Sequence, residues 1–128
     1  MNQNFVMVSV ALGFVVFDVI TGYVSAIKGG SLNSTVMRDG LWGKLGEVFA
    51  IVLAFAAEFV VGFYGDLFAH VNLSIPITTG VCAYITLYEL TSVVENIGKL
   101  NPELGKWLVN AIGIDPEKVG LKVIDDGD

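Results

Sequence analysis

Basic residues are scarce in this chain and unevenly placed. Seven Lys and Arg stand against thirteen Asp and Glu, for a formal net charge of −6. Phosphate binding needs clustered cations, so the balance argues against a nucleic-acid partner. The chain has one cysteine, Cys82, and one histidine, His70. One of each cannot build a zinc cluster, and a lone thiol cannot close an intramolecular disulfide or report on redox compartment. Ser31, Ser34 and Ser92 have no histidine placed to activate them. A Gly-rich phosphate loop is missing. The acids lie in apolar blocks and do not flank a sugar-sized cleft, which leaves glycosidase chemistry unsupported. No catalytic residue, cofactor or metal is expected, and the chain does not read as an enzyme.

Hydrophobic residues are abundant: 54% of the chain is apolar and only 16% charged, against about 45–50% and roughly 25% in ordinary soluble domains. The excess falls in three blocks, 5–27, 45–68 and 75–94. Each has the length a helix needs to cross about 30 Å of hydrocarbon. A soluble bundle of fully buried helices is the alternative, but so short a chain has no further helices to surround them. The expected fold class is therefore an all-α membrane protein with three transmembrane helices. The first block reads as a retained span, because it lacks a basic leader, runs past the usual 7–15 apolar residues of a signal peptide and ends without an Ala-x-Ala site.

Local signals place the shorter elements. The run Lys28-Gly29-Gly30-Ser31 stops the first helix. Asn33 or Ser34 then suits an N-cap for a short interfacial helix that carries Val36, Met37, Leu41 and Trp42 among charged residues and leads into span two. Asp66 marks the far end of span two, a loop with His70 and Asn72 follows, and Pro76 fits the first turn of span three. Asn101-Pro102-Glu103 opens a short amphipathic helix over 102–113 that stops at Gly113. Residues 1–114 form one membrane domain in this reading. Residues 115–128, with Asp125, Asp126 and Asp128, form a polar acidic tail.

Orientation follows from the cations. Lys28, Arg38 and Lys44 lie between spans one and two, and Lys99, Lys106, Lys118 and Lys122 follow span three. None precedes span one or separates spans two and three. The positive-inside rule puts the N-terminus outside and the C-terminus in the cytoplasm.

Inside the spans the sequence offers acids without evident basic partners. Asp18 and Glu58 fall near mid-membrane, Glu89 nearer the cytoplasmic side, and Glu47 within reach of the interface. A central Asp costs about 2.5–3.5 kcal/mol on insertion scales, so such groups face a bundle interior or water. At 100° per residue each span carries one small-or-polar stripe. These are Ala11, Asp18, Gly22, Ser25 and Gly29 on span one, and Gly43, Glu47, Ala54, Glu58 and Gly65 on span two. On span three they are Thr78, Cys82, Glu89 and Asn96, flanked by Thr86 and Ser92. Small residues let membrane helices approach and polar ones bond across the contact. The stripes either join three helices into one bundle or serve contacts between copies around a wet interior. Cys82, in phase with Glu89, is expected on such a contact face.

The segment Asp18-Val19-Ile20-Thr21-Gly22, continuing through Lys28 to Leu32-Asn33-Ser34-Thr35, Gly40 and Lys44, resembles the toxin-secretion/phage-lysis holin family. So does the stretch from Glu89 through Ser92-Val93-Val94-Glu95-Asn96-Ile97-Gly98 to Pro102. The resemblance covers roughly residues 18–108 and includes neither Glu58 nor the acidic tail. It implies a small protein of the bacterial cytoplasmic membrane that forms homo-oligomers and opens lesions in the bilayer, releasing an endolysin or a toxin. The competing readings are a small proton-coupled channel or transporter cycling a proton on Asp18 or Glu58, and a passive scaffold. Small multidrug antiporters have four spans, and the stretch around Trp107–Ile114 is too short for a fourth.

Overall fold

A computed structural model describes residues 2–65, 67 and 76–120. Four α-helices run in order: α1 Gln3–Lys28, α2 Ser34–Phe63, α3 Ile77–Leu100 and α4 Pro102–Ile112. A single 3-10 turn, Pro116–Val119, follows. The helices α1, α2 and α3 are each long and apolar enough to cross a membrane, and the chain is an all-α, multi-pass membrane protein.

The helix ends follow from local chemistry. Asn2 caps α1 by accepting from Asn4 N at 3.1 Å. Asn33, rather than Ser34, caps α2, accepting from Thr35 N at 2.9 Å. Asn101 caps α4 through Leu104 N at 3.2 Å, with Pro102 at its first position. The left-handed turn after α1 falls on Gly30 (φ 64°) and that after α4 on Gly113 (φ 78°), where a Cβ would be strained.

Span two differs from expectation. The segment over 34–44 is helical, but it runs without a break into the span, making one helix of 30 residues. Gly40, Gly43 and Gly46 lower helix propensity by about 1 kcal/mol each without stopping the helix, and no proline interrupts it. Such a helix is about 45 Å long, so its first turns project beyond the hydrocarbon. It ends at Phe63, five residues before the hydrophobic block does, and Gly65 lies past it in a turn. Pro76 is the N-cap of α3 rather than part of its first turn. Asp66, His70 and Asn72 lie outside the described residues.

The packing is unequal. The helices α1 and α3 lie against each other along their length, whereas α2 leans on that pair. The shared apolar layer is Ala11, Val15, Ile51, Cys82 and Ile85, with Met7, Leu12, Val48 and Val81 at its edge. Ala11 is fully buried, and its small side chain lets the backbones come close. The outer faces carry Phe5, Val16, Leu53, Phe59 and Leu87, all more than half exposed, as lipid contact requires. A second small core joins Val94 of α3, Val109 of α4 and Val119. The start of the tail is thus folded against α3, in a cluster it shares with α4, while Asp125, Asp126 and Asp128 lie outside the described residues.

Ile51 is fully buried where all three spans meet. Ile51→Ala should destabilise the bundle by about 2 kcal/mol, the lower end for buried aliphatic truncations, because lipid does not enter the void. Leu53→Ala, on the lipid face, should cost far less. Unfolding of both variants in detergent, followed by circular dichroism, checks the difference.

Candidate functional site

The residues that meet between the spans are Lys44, Asp18 and Glu89. The Lys44 ammonium lies 2.7 Å from Asp18 Oδ2 and donates to both carboxylate oxygens of Glu89. Glu89 is completely buried, and the Lys44 and Asp18 side chains are only 18% and 12% exposed. A third carboxylate, Glu47, stands 3.7 Å from the same ammonium, too far for a hydrogen bond; its Oε2 is buried and makes none. The Tyr88 ring lies 5.9 Å from the ammonium, within cation–π range. One cation therefore joins α2 to both α1 and α3.

Asn96 completes this cluster from α3. Its Nδ2 donates to Asp18 Oδ1 at 2.9 Å and to Thr21 Oγ1 at 3.1 Å. A Cβ at Gly22 would sit 3.4 Å from that nitrogen, so a small residue there leaves Asn96 room to reach α1. Asp18 thus has both oxygens engaged, one by Lys44 and one by Asn96. The expectation of acids without basic partners is overturned for Asp18 and Glu89, because continuity of α2 carries Lys44 from the supposed interfacial segment into the bundle.

A second polar contact joins the three helices at their other end. Glu58 Oε1 accepts from Asn4 Nδ2 at 3.2 Å, and Oε2 accepts from Thr78 N at 2.9 Å. Pro76, the N-cap of α3, provides no side-chain cap, so the carboxylate of α2 satisfies one of the free amides of that helix start. Glu58 therefore sits level with the first turns of α1 and α3, not at mid-membrane. Asn4 and Asp18 are fourteen residues apart, as are Lys44 and Glu58, so the two polar contacts are separated by about 21 Å of helix.

The remaining candidates are distributed as follows. Ala54 and Cys82 are buried in the bundle, and Ser25 is buried on α1 near Asn96. The thiol of Cys82 thus packs inside its own chain instead of lying on a face open to a neighbour. Thr78 is fully buried, with its hydroxyl unpartnered, whereas Thr86 and Ser92 are half-buried. Gly43 and Gly65 are exposed. Gly40 lines a cavity of about 180 Å³ beside Asp18 and Lys44. Ser34 is the exposed first residue of α2, and Glu95 makes a surface pair with Lys99 at 3.3 Å. Away from the stripes, Lys28 Nζ donates to the carbonyls of Lys99 and Leu100 at 3.2 and 2.8 Å, capping the C-terminus of α3.

Sequence reasoning missed Lys44 as the hub, together with Asn4, Thr21 and Ile51. A signal was present: positions 44, 47, 51, 54 and 58 of α2 follow the alternating three- and four-residue spacing of a helix-packing seam. Including the buried apolar residues with the polar ones would have put Lys44 in phase with Ile51 and Glu58.

Fold and interior together define a multi-pass helical membrane protein whose intramembrane charges are gathered inside one three-helix bundle. The chain belongs to the bacteriophage holin family, whose model matches residues 3–114, all three spans and α4 included. No curated protein and no solved structure matches it. It is a phage-type holin, a former of membrane lesions and not an enzyme. Of the residues carrying the resemblance, Asp18, Lys44, Glu89 and Asn96 converge on one cluster with Gly22 beside it, while Ser34, Glu95 and Pro102 belong to helix ends and surface.

Removing the hub tests the cluster. Lys44→Met leaves Glu89 buried without its cation and should destabilise the bundle by about 3–5 kcal/mol. Adding Asp18→Asn and Glu89→Gln should restore much of that loss, since no unpaired charge remains. Unfolding in detergent measures both. A Lys44→Met protein as stable as the unaltered one would contradict the ion-pair geometry.

Proposed function

We propose that the chain accumulates in the bacterial cytoplasmic membrane with its N-terminus outside and its C-terminus in the cytoplasm. Copies then assemble and open lesions through which an endolysin, or in another setting a secreted toxin, leaves the cell. Residues 1–114 act as one membrane unit in this reading, and 115–128 are an appendage. The observation that carries it is the family match across all three spans.

Orientation rests on the cations. Lys28 and Arg38 fall where α1 meets α2, Lys99 in the last turn of α3 and Lys106 beyond it, while Lys44 is held inside the bundle, and no Lys or Arg lies before α1 or between α2 and α3. Retention of those cations on the cytoplasmic side favours the stated topology. The proton-coupled reading draws less support. A cycling site needs an acid free to exchange its proton with water, yet Asp18 is engaged by Lys44 and Asn96, and Glu58 by Asn4 and Thr78.

Expression in bacteria with and without a co-expressed endolysin tests the function. Rapid lysis is expected only when both are present, with loss of membrane integrity from the chain alone. A phosphatase fused after Asp128 should be inactive, as a cytoplasmic enzyme is, and a tag before Met1 should be reachable from outside. Active phosphatase at the C-terminus would reverse the topology. Lysis independent of the chain would overturn the release function.

A further inference from the structure

We infer that the C-terminal ends of α1 and α3 together hold a phosphate group, supplied by an anionic phospholipid whose head sits between Lys28 and Lys99. Such a site depends on the membrane-spanning fold and not on the opening of lesions.

A cavity of about 320 Å³ opens where the two helices end, lined by Ser25, Lys28, Gly29 and Ser31 on one side and by Asn96 and Lys99 on the other. Clefts for small ligands run from about 300 Å³ upward. The charged side chains on its wall are both cations, and among the described residues no acid lines it. Lys28 uses two of its protons on the carbonyls of Lys99 and Leu100, which leaves a third to donate. Lys99 pairs with Glu95 at 3.3 Å, but the two side chains are 59% and 40% exposed, and a pair so open to water exchanges readily. The last carbonyls of both helices oppose an anion at this level, and Lys28 already covers those of α3. Ser25 adds a donor without a partner. Ser9, Thr21 and Thr91 return their hydroxyls to a carbonyl one turn back. Ser25, only 8% exposed, makes no such bond among the described residues, so its hydroxyl is left for an occupant of the cavity it lines.

Depth and surroundings favour a lipid over a soluble anion. Lys28 is twenty-four residues from Asn4, about 36 Å along a helix. With the Glu58–Asn4 contact at one edge of a hydrocarbon layer about 30 Å thick, Lys28 falls among the headgroups of the opposite leaflet. Basic recesses between membrane helices at that level hold anionic lipid heads. Gly22 lines this cavity and also the one of about 180 Å³ beside Asp18, whose walls include Val19, Tyr23, Met37 and Leu41. A cationic recess at headgroup depth therefore adjoins an apolar one nearer the bilayer centre. That pairing fits the head and one acyl chain of a phospholipid, whereas a soluble phosphate would use the first recess alone.

The full chain in a neutral detergent is titrated with phosphatidylglycerol, with phosphatidylcholine and with inorganic phosphate, and bound molecules are counted by native mass spectrometry. One phosphatidylglycerol per chain should be retained, in clear preference to the other two. Lys99→Gln and Ser25→Ala should each weaken it by roughly tenfold, as loss of a hydrogen bond to a charged group does. Lys106→Gln, which removes a cation outside the cavity, should leave it unchanged. Lys28 is kept in all variants because it also caps α3, and circular dichroism verifies that each variant is folded. Inorganic phosphate bound as tightly as phosphatidylglycerol would overturn the lipid as the source and assign the site to a soluble anion. Phosphatidylcholine retained equally, or the same loss with all three variants, would mean general adhesion and overturn the site. Binding indifferent to Lys99→Gln and Ser25→Ala would overturn it too. Each of these results leaves the lesion-forming reading standing.

Discussion

The ammonium of Lys44 needs anionic partners in a medium where water is scarce, and the arrangement of the bundle depends on that need. Asp18 and Glu89 supply them from two different helices, so a single cation fixes the mutual rotation of all three spans. Separated, each of these groups would face a large desolvation penalty in the bilayer. Together they convert that penalty into registry. Apolar packing in lipid could not do this alone, because a Leu is about as well accommodated by acyl chains as by another helix.

Once the cluster sets the rotation, the rest of the interior follows. The apolar layer of Ala11, Val15, Ile51, Cys82 and Ile85 fills the depth between the cluster and the Glu58 contact. Glu58 reaches the start of α3 because it lies on the same seam of α2, fourteen residues on. Much of each stripe, including Ala11, Ser25, Ala54, Thr78, Cys82 and Glu89, is thereby used within one chain, whereas Gly29, Gly43 and Gly65 are exposed and the lipid receives the Val, Leu and Phe surface. Beyond the spans, Lys28 closes the C-terminus of α3, and α4 folds back with Val109 and Val119 against Val94.

A lesion-forming protein must be tolerated in an intact membrane and later present water with a compatible surface. Holding the charges inside a sealed bundle meets the first requirement. Inside that bundle the packing is unequal, with α1 and α3 closely joined and α2 held to them by the Lys44 and Glu58 contacts and by Ile51. A buried ion pair contributes little net stability over an apolar contact of the same shape.

The sequence by itself determined the membrane class, the three spans, the caps at Asn101 and Gly113 and the stripe on each helix. All of these depend on local quantities: length, hydropathy, the conformations open to Gly and Asn, and a period of 3.6. It also carried the motif residues Asp18, Lys44, Glu89 and Asn96 without indicating that they touch. Helical phase says which residues share a face but not which face of another helix they meet. Only the tertiary structure decided that α2 runs unbroken from Ser34, which lowers Lys44 to the level of Asp18 and Glu89. It alone moved Glu58 from mid-membrane to the end of the bundle and turned Cys82 inward. Those outcomes depend on the axial offset and rotation of one helix against another, which are set by pairing energies between residues from 20 to more than 70 positions apart, and local sequence carries no record of them.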